Sequence, residues 1–395
     1  MRLRGWVALA SLWLAACAAE PVPQPPVVEA PQPQLRPVRF ADLAGWAADD
    51  HAAALRAFEN SCRALAKREP TAALGAARWA GTVADWREVC ALASRTEPAA
   101  ARRFFEDWFV PMALVDGAQE DGLFTGYYEP LLRAARQPTA TYHVPLHGRP
   151  DDLIAVDLGA FAEDLGGRRI AGRIADGRLI PYYSRAEIEA GALEGRAPAV
   201  FWVDDPVAKF FLEIQGSGQV ELASGERLRV GYAEQNGRPY RAIGRDLVEM
   251  GELSREGVSL QSIRAWLRAH PDRARALMNR NPSYVFFRET GPVVAGVGPV
   301  GAQGVPLTAG RSIAVDRRFV PLGVPLWVET TAPTPAGDVP LRRLLVAQDT
   351  GGAIRGVVRG DVFWGDGTGA EYTAGHMRST GRWFVLLPRG VLPSA

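Results

Sequence analysis

Two aspartates near the C-terminus, Asp349 and Asp361, lie in sequence contexts that suit acid–base chemistry. The run Leu344–Ala347 before Asp349 is apolar, as a buried strand requires, and the glycine pair 351–352 after it allows a close backbone approach. Asp361 is followed by the apolar and aromatic run 362–364. Burial among such side chains disfavours the ionised carboxylate and raises its pKa. We therefore predict that Asp361 is a general acid.

The same two aspartates also fit roles without acid–base chemistry. Asp349 could simply tie a turn through its side chain, as aspartate commonly does. Asp361 could be a strand-end residue whose carboxylate bonds to backbone. The triplet Asp349-Thr350-Gly351 also matches the aspartic proteases, but the chain has no second copy of it. A protease would therefore need a symmetric dimer to supply the second carboxylate.

Two further segments carry groups that suit a neutral, hydroxyl-rich ligand. Tyr127 and Tyr128 lie in the short segment 122–130 and would face opposite sides of a strand. An exposed tyrosine beside a cleft can stack on a sugar ring, although a packed tyrosine fits the pattern equally well. Gln215 and Ser217 offer amide and hydroxyl groups beside two glycines, where backbone can approach a ligand closely. Together with an acid, these groups predict a sugar-cleaving site.

The composition indicates a globular protein of two or three domains with much β structure. The chain has 395 residues, of which 47% are hydrophobic, enough for sizeable cores. Its 41 glycines and 30 prolines predict many turns. The formal net charge is +1, and the arginines are scattered among acidic residues, so the composition does not indicate a nucleic-acid partner.

The N-terminus has the pattern of an export signal. Arg2 and Arg4 precede the apolar run Trp6–Ala16, which is too short to span a bilayer. The run ends in Leu-Ala-Ala before Cys17, which resembles the lipobox of bacterial lipoproteins. We predict a lipoprotein signal peptide over 1–17, a membrane anchor through lipidated Cys17, and a position at the periplasmic face of the outer membrane. An ordinary signal peptide beside a chance cysteine is the alternative.

The next segments agree with export. Residues 18–38 are rich in proline and lack apolar periodicity, so they predict an unfolded tether that extends on the order of 60 Å. Cys62 and Cys90 then remain as an even pair in an oxidising compartment. They could form a disulfide or stay as two buried thiols on helix faces.

The remaining chain divides into three stretches by its residue patterns. In 39–130, apolar residues at spacings of three and four, such as Leu55, Phe58 and Cys62, predict helices. Residues 131–285 are typical of a mostly β region with frequent turns. In 286–390, short strands separated by proline and glycine predict a small closed barrel.

The sequence does not predict a metal or an organic cofactor. Residues 296–301 match the letters of the dinucleotide fingerprint, but Pro299 forbids the helix that must follow. His143 and His147 are four residues apart, but Pro145 between them argues against a helical metal pair.

Several longer motifs, in order along the chain, resemble the membrane-bound lytic murein transglycosylase A family. They are the segments 126–128, 211–218, 281–287, 313–316, 347–354 and 359–365. The C-terminal part also resembles the 3D domain, whose three aspartates match Asp316, Asp349 and Asp361. The likeness runs from about residue 40 to the end of the chain.

The resemblance implies a mainly β fold with N-terminal helices, in which a double-psi β-barrel (286–390) and an inserted β domain (131–285) enclose a peptidoglycan-binding groove. It implies that Asp361 is the catalytic aspartate and Asp349 its supporting neighbour, although the spacing between them can be one residue shorter in other members. Asp366 is expected to be an exposed acid. The substrate-binding residues that the resemblance implies are Thr125, Tyr127, Tyr128, Gln215, Ser217, Gly218, Asn281, Tyr284, Asp316 and Gly352.

The activity that the resemblance implies is cleavage of glycan strands between N-acetylmuramic acid and N-acetylglucosamine, with formation of 1,6-anhydro ends. Asp361 alone would serve as acid and then as base, without a cofactor. Two alternatives stay open, namely an inverting β-glycan hydrolase with Asp349 as base and a non-catalytic glycan-binding or wall-loosening module. Besides the glycan strands, other cell-wall enzymes are expected as partners.

Overall fold

The computed structural model describes residues 32–162, 165 and 168–391. The predicted signal peptide, the predicted lipid site at Cys17 and the tether up to residue 31 lie outside the described residues. Within the described residues, no helix is both long and apolar enough to cross a membrane.

The elements of the described chain are as follows. The α-helices are α1 (His51–Leu65), α2 (Ala84–Ala93), α3 (Ala101–Trp108), α4 (Arg185–Glu187), α5 (Pro206–Gln215), α6 (Ile243–Glu249), α7 (Leu260–Ala269), α8 (Pro271–Met278) and α9 (Gly367–His376). The strands are β1 (Pro33–Pro37), β2 (Phe109–Asp116), β3 (Gly122–Glu129), β4 (Leu131–Ala135), β5 (Val144–His147), β6 (Ile154–Asp157), β7 (Arg169–Ala175), β8 (Arg178–Pro181), β9 (Ala199–Val203), β10 (Ser217–Leu222), β11 (Arg227–Gln235), β12 (Val285–Pro292), β13 (Ser312–Val315), β14 (Pro325–Thr334), β15 (Gly337–Asp349), β16 (Arg359–Asp366) and β17 (Arg378–Pro388).

Six strands close into a barrel. Around the ring they follow the order β3, β16, β13, β15, β14 and β17, and β17 pairs back with β3. The parallel pairing of β3 with β16 joins segments that are 236 residues apart at Thr125 and Asp361. The predicted fold class, a mainly β protein with a closed barrel, is therefore confirmed.

The barrel core consists of apolar strand residues and of aromatic side chains from the first three helices. The run Leu344–Ala347 on β15 is fully buried, as predicted, and so are Trp327 on β14 and Trp383 on β17. The helices cover one side of the barrel with Phe58, Trp86, Phe104 and Phe105. A disulfide between Cys62 and Cys90 joins α1 to α2.

A second domain is built on a separate sheet. Its strands follow the order β12, β11, β10, β4, β9 and β5, and β6, β7 and β8 form a further small sheet. Buried apolar residues such as Phe201, Leu212 and Phe287 form its core. The predicted boundary between 285 and 286 falls at the start of β12, which pairs with β11. This pairing favours placing the boundary after Pro292.

Two predicted stretches differ from the observed elements. Pro33–Pro37, predicted to belong to the unfolded tether, forms the edge strand β1 against β2; an edge tolerates proline because one row of N–H groups there has no partner strand. Phe109–Asp116, predicted to belong to the helical segment, is a strand, whereas Gly122–Glu129 is a strand, as the placing of Tyr127 and Tyr128 on opposite sides of a strand predicted. The aromatic stripe has helical spacing up to Phe109, but Pro111 disfavours helical backbone at the residue before it.

A buried polar cluster joins the two domains where the chain crosses between them. Glu129, at the end of β3, accepts hydrogen bonds from the side chains of Arg229 and Gln219. Gln219 also donates to Asp366, at the end of β16, over 2.9 Å. Arg229 donates to the carbonyl of Val297, where the chain returns to the barrel, over 2.9 Å. The cluster therefore holds the two segments where the chain passes between the domains, and it also holds the end of β16, the strand that carries Asp361.

Candidate active site

Four neighbouring strands place a row of side chains on one face of the barrel wall. Thr125 on β3 lies opposite Asp361 on β16. Ala314 on β13 lies between the two aspartates, opposite Asp361 on one side and opposite Asp349 on the other. Opposed residues point to the same face of a sheet, and strands are about 4.8 Å apart, so the two aspartate Cα atoms are about 10 Å apart. Only a methyl group stands between their carboxyl groups in this row.

A β-bulge brings Asp349 into the row. The register of β13 against β15 shifts at Ala314, so that Gln348 is the extra residue. The Gln348 side chain turns into the core, where its amide donates to the carbonyl of Ala57 on α1 over 2.7 Å. Bulges commonly re-aim side chains beside active sites. Here the bulge lets Asp349 share a face with Asp361.

Asp361 keeps one carboxyl oxygen free of protein donors. The Thr125 hydroxyl donates to its Oδ1 over 2.7 Å, whereas Oδ2 has no donor among the described residues. The side chain is half-buried. Burial raises the pKa of Asp361; the positive charge of Arg359 and the Thr125 hydrogen bond oppose this rise, and the negative charge of Asp349 adds to it. Asp361 is therefore suited to hold a proton on Oδ2 and to deliver it.

Both carboxyl oxygens of Asp349, unlike those of Asp361, accept hydrogen bonds from the protein. Its Oδ1 accepts hydrogen bonds from the backbone N–H groups of Ala302 and Thr350, both over 2.9 Å. Its Oδ2 accepts a hydrogen bond from the Tyr127 hydroxyl over 2.8 Å. Burial raises the pKa of Asp349, and these three donors oppose that rise because they favour the ionised form. Burial and the Asp349 charge also raise the pKa of Tyr127, so this hydroxyl stays a donor.

Asp316, the third aspartate of the motif, lies outside the row. It is buried and pairs with Arg318 over 2.6 Å, and it accepts a hydrogen bond from the N–H of Gly356 over 2.9 Å. Burial alone would raise the pKa of Asp316, but the Arg318 and Gly356 bonds outweigh it and hold the pKa below its usual value. Asp316 thus anchors the loop that connects Asp349 to Asp361. Among the described residues, no group of three or more His, Cys, Asp or Glu side chains is arranged to hold a metal ion.

The chain is similar to known proteins over both domains. A family profile for the MltA specific insert domain matches residues 123–288, and a profile for the 3D domain matches residues 311–387. Membrane-bound lytic murein transglycosylase A of Vibrio cholerae is 31% identical over 285 residues, which cover 70% of this chain and 69% of the relative. The chain belongs to the membrane-bound lytic murein transglycosylase A family. The resemblance predicted from the motifs is confirmed.

Solved structures of this transglycosylase family share the fold. The membrane-bound lytic murein transglycosylase of Agrobacterium tumefaciens superposes with a TM-score of 0.79 at 33% identity, covering 90% of this chain and 98% of that one. Escherichia coli MltA with bound chitohexaose superposes with a TM-score of 0.61 at 26% identity, covering 94% of each chain.

Some residues that the resemblance to lytic transglycosylase A implied for substrate binding lie at the domain junction. The Gln215 side-chain carbonyl accepts a hydrogen bond from the N–H of Tyr128 over 3.0 Å. Tyr128 itself is buried, and its hydroxyl accepts a hydrogen bond from Arg264 over 3.1 Å. Ser217 is half-buried, and its hydroxyl has no partner among the described residues. Gly218 has a packing role, because a Cβ there would lie 2.4 Å from Leu212.

The other residues implied for substrate binding do not lie in the row that contains Thr125, Asp361 and Asp349. Asn281 is buried, and its side-chain oxygen accepts hydrogen bonds from the N–H groups of Arg241 and Ser283. Tyr284 is buried, with its hydroxyl 2.7 Å from a ring nitrogen of His147. Gly352 lies on the exposed loop after Asp349.

Two residues that sequence reasoning missed lie close to Asp361. Arg359, on the same strand, donates to the Thr125 hydroxyl over 2.9 Å. Tyr240, on the loop before α6 in the second domain, is 39% exposed. Burial raises the pKa of Tyr240, the charge of Arg185 opposes this rise, and the charge of Asp361 adds to it. Neither residue carries a local sequence signal, because both contacts depend on how distant segments pair.

Proposed function

We propose that this protein is a peptidoglycan lytic transglycosylase that cleaves the bond between N-acetylmuramic acid and N-acetylglucosamine and leaves 1,6-anhydro ends. Its relatives are named lytic murein transglycosylases. The observation that carries the proposal is the contrast between two neighbouring carboxyl groups. Asp361 keeps Oδ2 free of protein donors, whereas three donors hold Asp349.

In the first step, Asp361 acts as the general acid. Its Oδ2 proton passes to the glycosidic oxygen as the bond from that oxygen to C1 of the muramic acid breaks. The leaving sugar departs with a hydroxyl group, and positive charge develops on the muramic acid ring. The ionised Asp349, held by fixed donors, stabilises this charge electrostatically.

In the second step, the ionised Asp361 acts as the general base. It takes the proton of the C6 hydroxyl of the same muramic acid while that oxygen forms a bond to C1. The ring closes, Asp361 regains its proton, and no water is consumed. An intramolecular hydroxyl can have an effective concentration of about 10⁵ M or more, which removes the need for a positioned water.

The hydrogen bonds of Asp349 argue against the hydrolase alternative. An inverting hydrolase would need Asp349 to bind a water and to take its proton. Oδ1 already accepts two N–H groups and Oδ2 accepts the Tyr127 hydroxyl. These bonds stabilise the ionised form and weaken it as a base. We therefore give Asp349 an electrostatic and positioning role.

The mass of the products tests the proposed function. Purified protein is incubated with isolated sacculi, and the released muropeptides are analysed by mass spectrometry. Anhydro ends are expected, each lighter by one water than a reducing end. Reducing ends would instead support the hydrolase, and binding to sacculi without product release would support the non-catalytic module.

Replacing Asp349 by Asn is expected to lower the pH at which activity is lost. Asp361 must be protonated for the first step, so activity is present below its pKa and disappears as the pH rises through it. Asp349 raises the pKa of Asp361; without its charge that pKa falls, and the alkaline limb of the kcat profile moves to lower pH. We also expect kcat to fall on the order of 10²-fold. Asp338→Asn, at the exposed start of the same strand, is the control. An alkaline limb that stays in place or moves to higher pH in Asp349→Asn would refute the electrostatic interaction between Asp349 and Asp361.

Replacing Tyr240 by Ala is expected to weaken substrate binding. The ring is 39% exposed, so it is available to stack on a sugar, and the charge of Asp361 acts on its hydroxyl. We expect KM to rise about 10-fold with a smaller change in kcat, and Tyr240→Phe to stay near the parent. Tyr232→Ala removes a ring of the same domain that is 40% exposed and serves as the control. Equal effects of the two Ala variants would contradict a specific role for Tyr240.

We also propose that Cys17 carries lipid and holds the enzyme at the periplasmic face of the outer membrane. The lipobox-like residues before Cys17 support this, as does the description of the relatives as membrane-bound. Labelled palmitate is expected to be incorporated into the parent in cells but not into Cys17→Ser. Equal labelling of both would place the anchor elsewhere.

A further inference from the structure

A two-step chain of hydrogen bonds connects the half-buried side chain of Arg359 to Asp361. Arg359 Nη2 donates to Thr125 Oγ1 over 2.9 Å, and Thr125 Oγ1 donates to Asp361 Oδ1 over 2.7 Å. Arg359 stands two residues before Asp361 on β16, so both side chains point to the same face of the strand. Its other terminal nitrogen donates to the backbone carbonyls of Gly360 and Leu123, which hold the guanidinium in place.

The directions of these hydrogen bonds follow from the chemistry of the three groups. An arginine side chain stays protonated and has only donors, so the Thr125 oxygen must accept from Arg359. A threonine hydroxyl has a single proton, and Asp361 Oδ1 is its only acceptor among the described residues. That proton therefore points to Oδ1, and Oδ1 acts as an acceptor in both ionisation states of Asp361.

We propose that Arg359 is a positioning residue that, acting through Thr125, confines the reactive proton of Asp361 to Oδ2. This inference rests on the proposed function, because it specifies which carboxyl oxygen delivers and later retrieves the proton. Without the chain of bonds, either oxygen could carry the proton. Molecules protonated on Oδ1 would have their proton directed at the Thr125 oxygen and away from the substrate.

The groups that interact electrostatically or by hydrogen bonds with Asp361 determine how its ionisation responds to each variant. They are Thr125 and Tyr127 on β3, Arg359 on β16, Asp349 on β15 and Tyr240 from the second domain. Of these, Arg359 is the cation, and its charge favours the ionised Asp361. Removing that charge raises the pKa of Asp361, so the alkaline limb of activity moves to higher pH. This is the opposite direction to the shift expected for Asp349→Asn.

The test compares two pairs of variants in the full-length protein. Thr125→Ser keeps the hydroxyl and Thr125→Val removes it; Arg359→Lys keeps a cationic donor and Arg359→Met removes it. For Thr125→Val and Arg359→Met we expect kcat to fall by about 10-fold or more and KM to stay within about two-fold of the parent. The alkaline limb of the kcat profile is expected to move to higher pH. Thr125→Ser and Arg359→Lys are expected to lie within about three-fold of the parent in kcat.

The outcomes separate this inference from the proposed function. If the parent forms anhydro ends but Thr125→Val and Arg359→Met match it in kcat and pH profile, the positioning role is wrong while the transglycosylase proposal stands. A rise in KM alone would also overturn the positioning role, because that result would indicate that these residues bind substrate. If the parent forms no anhydro ends, the proposed function fails. Carbon-13 NMR titration of labelled aspartate reads the pKa of Asp361 without activity, and an unchanged value in a folded Arg359→Met would refute the inference.

Discussion

Replacing Asp361 by Asn is expected to abolish release of anhydro muropeptides from sacculi, with a fall in kcat on the order of 10³-fold or more. General acid–base catalysis commonly contributes about 10²- to 10⁴-fold, and here one carboxyl group performs both proton transfers. Asparagine keeps an oxygen for the Thr125 hydroxyl but cannot deliver a proton. Binding to sacculi, measured by co-sedimentation, is expected to stay near that of the parent.

The matched control is Asp366→Asn. Asp366 lies five residues further on the same strand, is exposed, and accepts a hydrogen bond from Gln219, which an Asn oxygen can also accept. We expect its activity to stay within a few-fold of the parent. Full activity in Asp361→Asn would remove Asp361 from its role, and loss of activity in both variants would point to a shared structural effect.

The Asp361→Asn substitution is expected to leave the fold intact and to stabilise it at neutral pH. Folding raises the pKa of Asp361 above the unfolded value of about 3.9, so the folded protein binds the proton more tightly. The cost of ionising this half-buried group is absent below the unfolded pKa, grows as the pH rises toward the folded pKa, and is complete above it. Asn removes this cost, so the unfolding midpoint of Asp361→Asn at pH 7 should equal or exceed that of the parent. A lower midpoint would mean that an activity loss reflects damage to the fold.

The sequence predicts the parts of this site that depend on local patterns. The apolar run Leu344–Ala347 predicts the buried strand that ends at Asp349, and the aromatic run after Asp361 predicts an enclosed carboxyl group. Both are observed. Regular alternation cannot reveal the bulge at Gln348, because the extra residue is accommodated by a hydrogen bond to α1, nearly 300 residues earlier in the chain.

Side-chain contacts between distant segments are the parts that local patterns cannot predict. The sequence around Tyr127 fits a sugar platform, but its ring is buried and its hydroxyl holds Asp349. That arrangement follows from the parallel register of β3 with β16, which no short motif encodes. Arg359 and Tyr240 escape sequence reasoning for the same reason, since their neighbours at the site come from other strands and from the other domain.

A large effect on stability is expected from the cluster that joins the domains. Replacing Arg229 by Met would leave Glu129 as a buried carboxylate without its cation; their side chains are only 10% and 2% exposed. Breaking a buried pair in this way costs about 3 to 5 kcal/mol. Arg227→Met, two residues earlier on the same strand, breaks a pair with Glu221 whose side chains are 51% and 34% exposed, and is expected to cost at most about 1 kcal/mol. Urea denaturation of both variants measures the difference.

A double variant separates the stability of this cluster from its role at the site. In Arg229→Met with Glu129→Met, no charge of the pair stays buried, so most of the lost stability should return. Activity should not return with it, because Arg229 also holds the Val297 carbonyl and Glu129 also holds Gln219, which reaches the end of the Asp361 strand. Recovery of both stability and kcat would show that the pair contributes only to folding. Recovery of stability alone would show that these polar contacts align the second domain with the row of Thr125, Asp361 and Asp349.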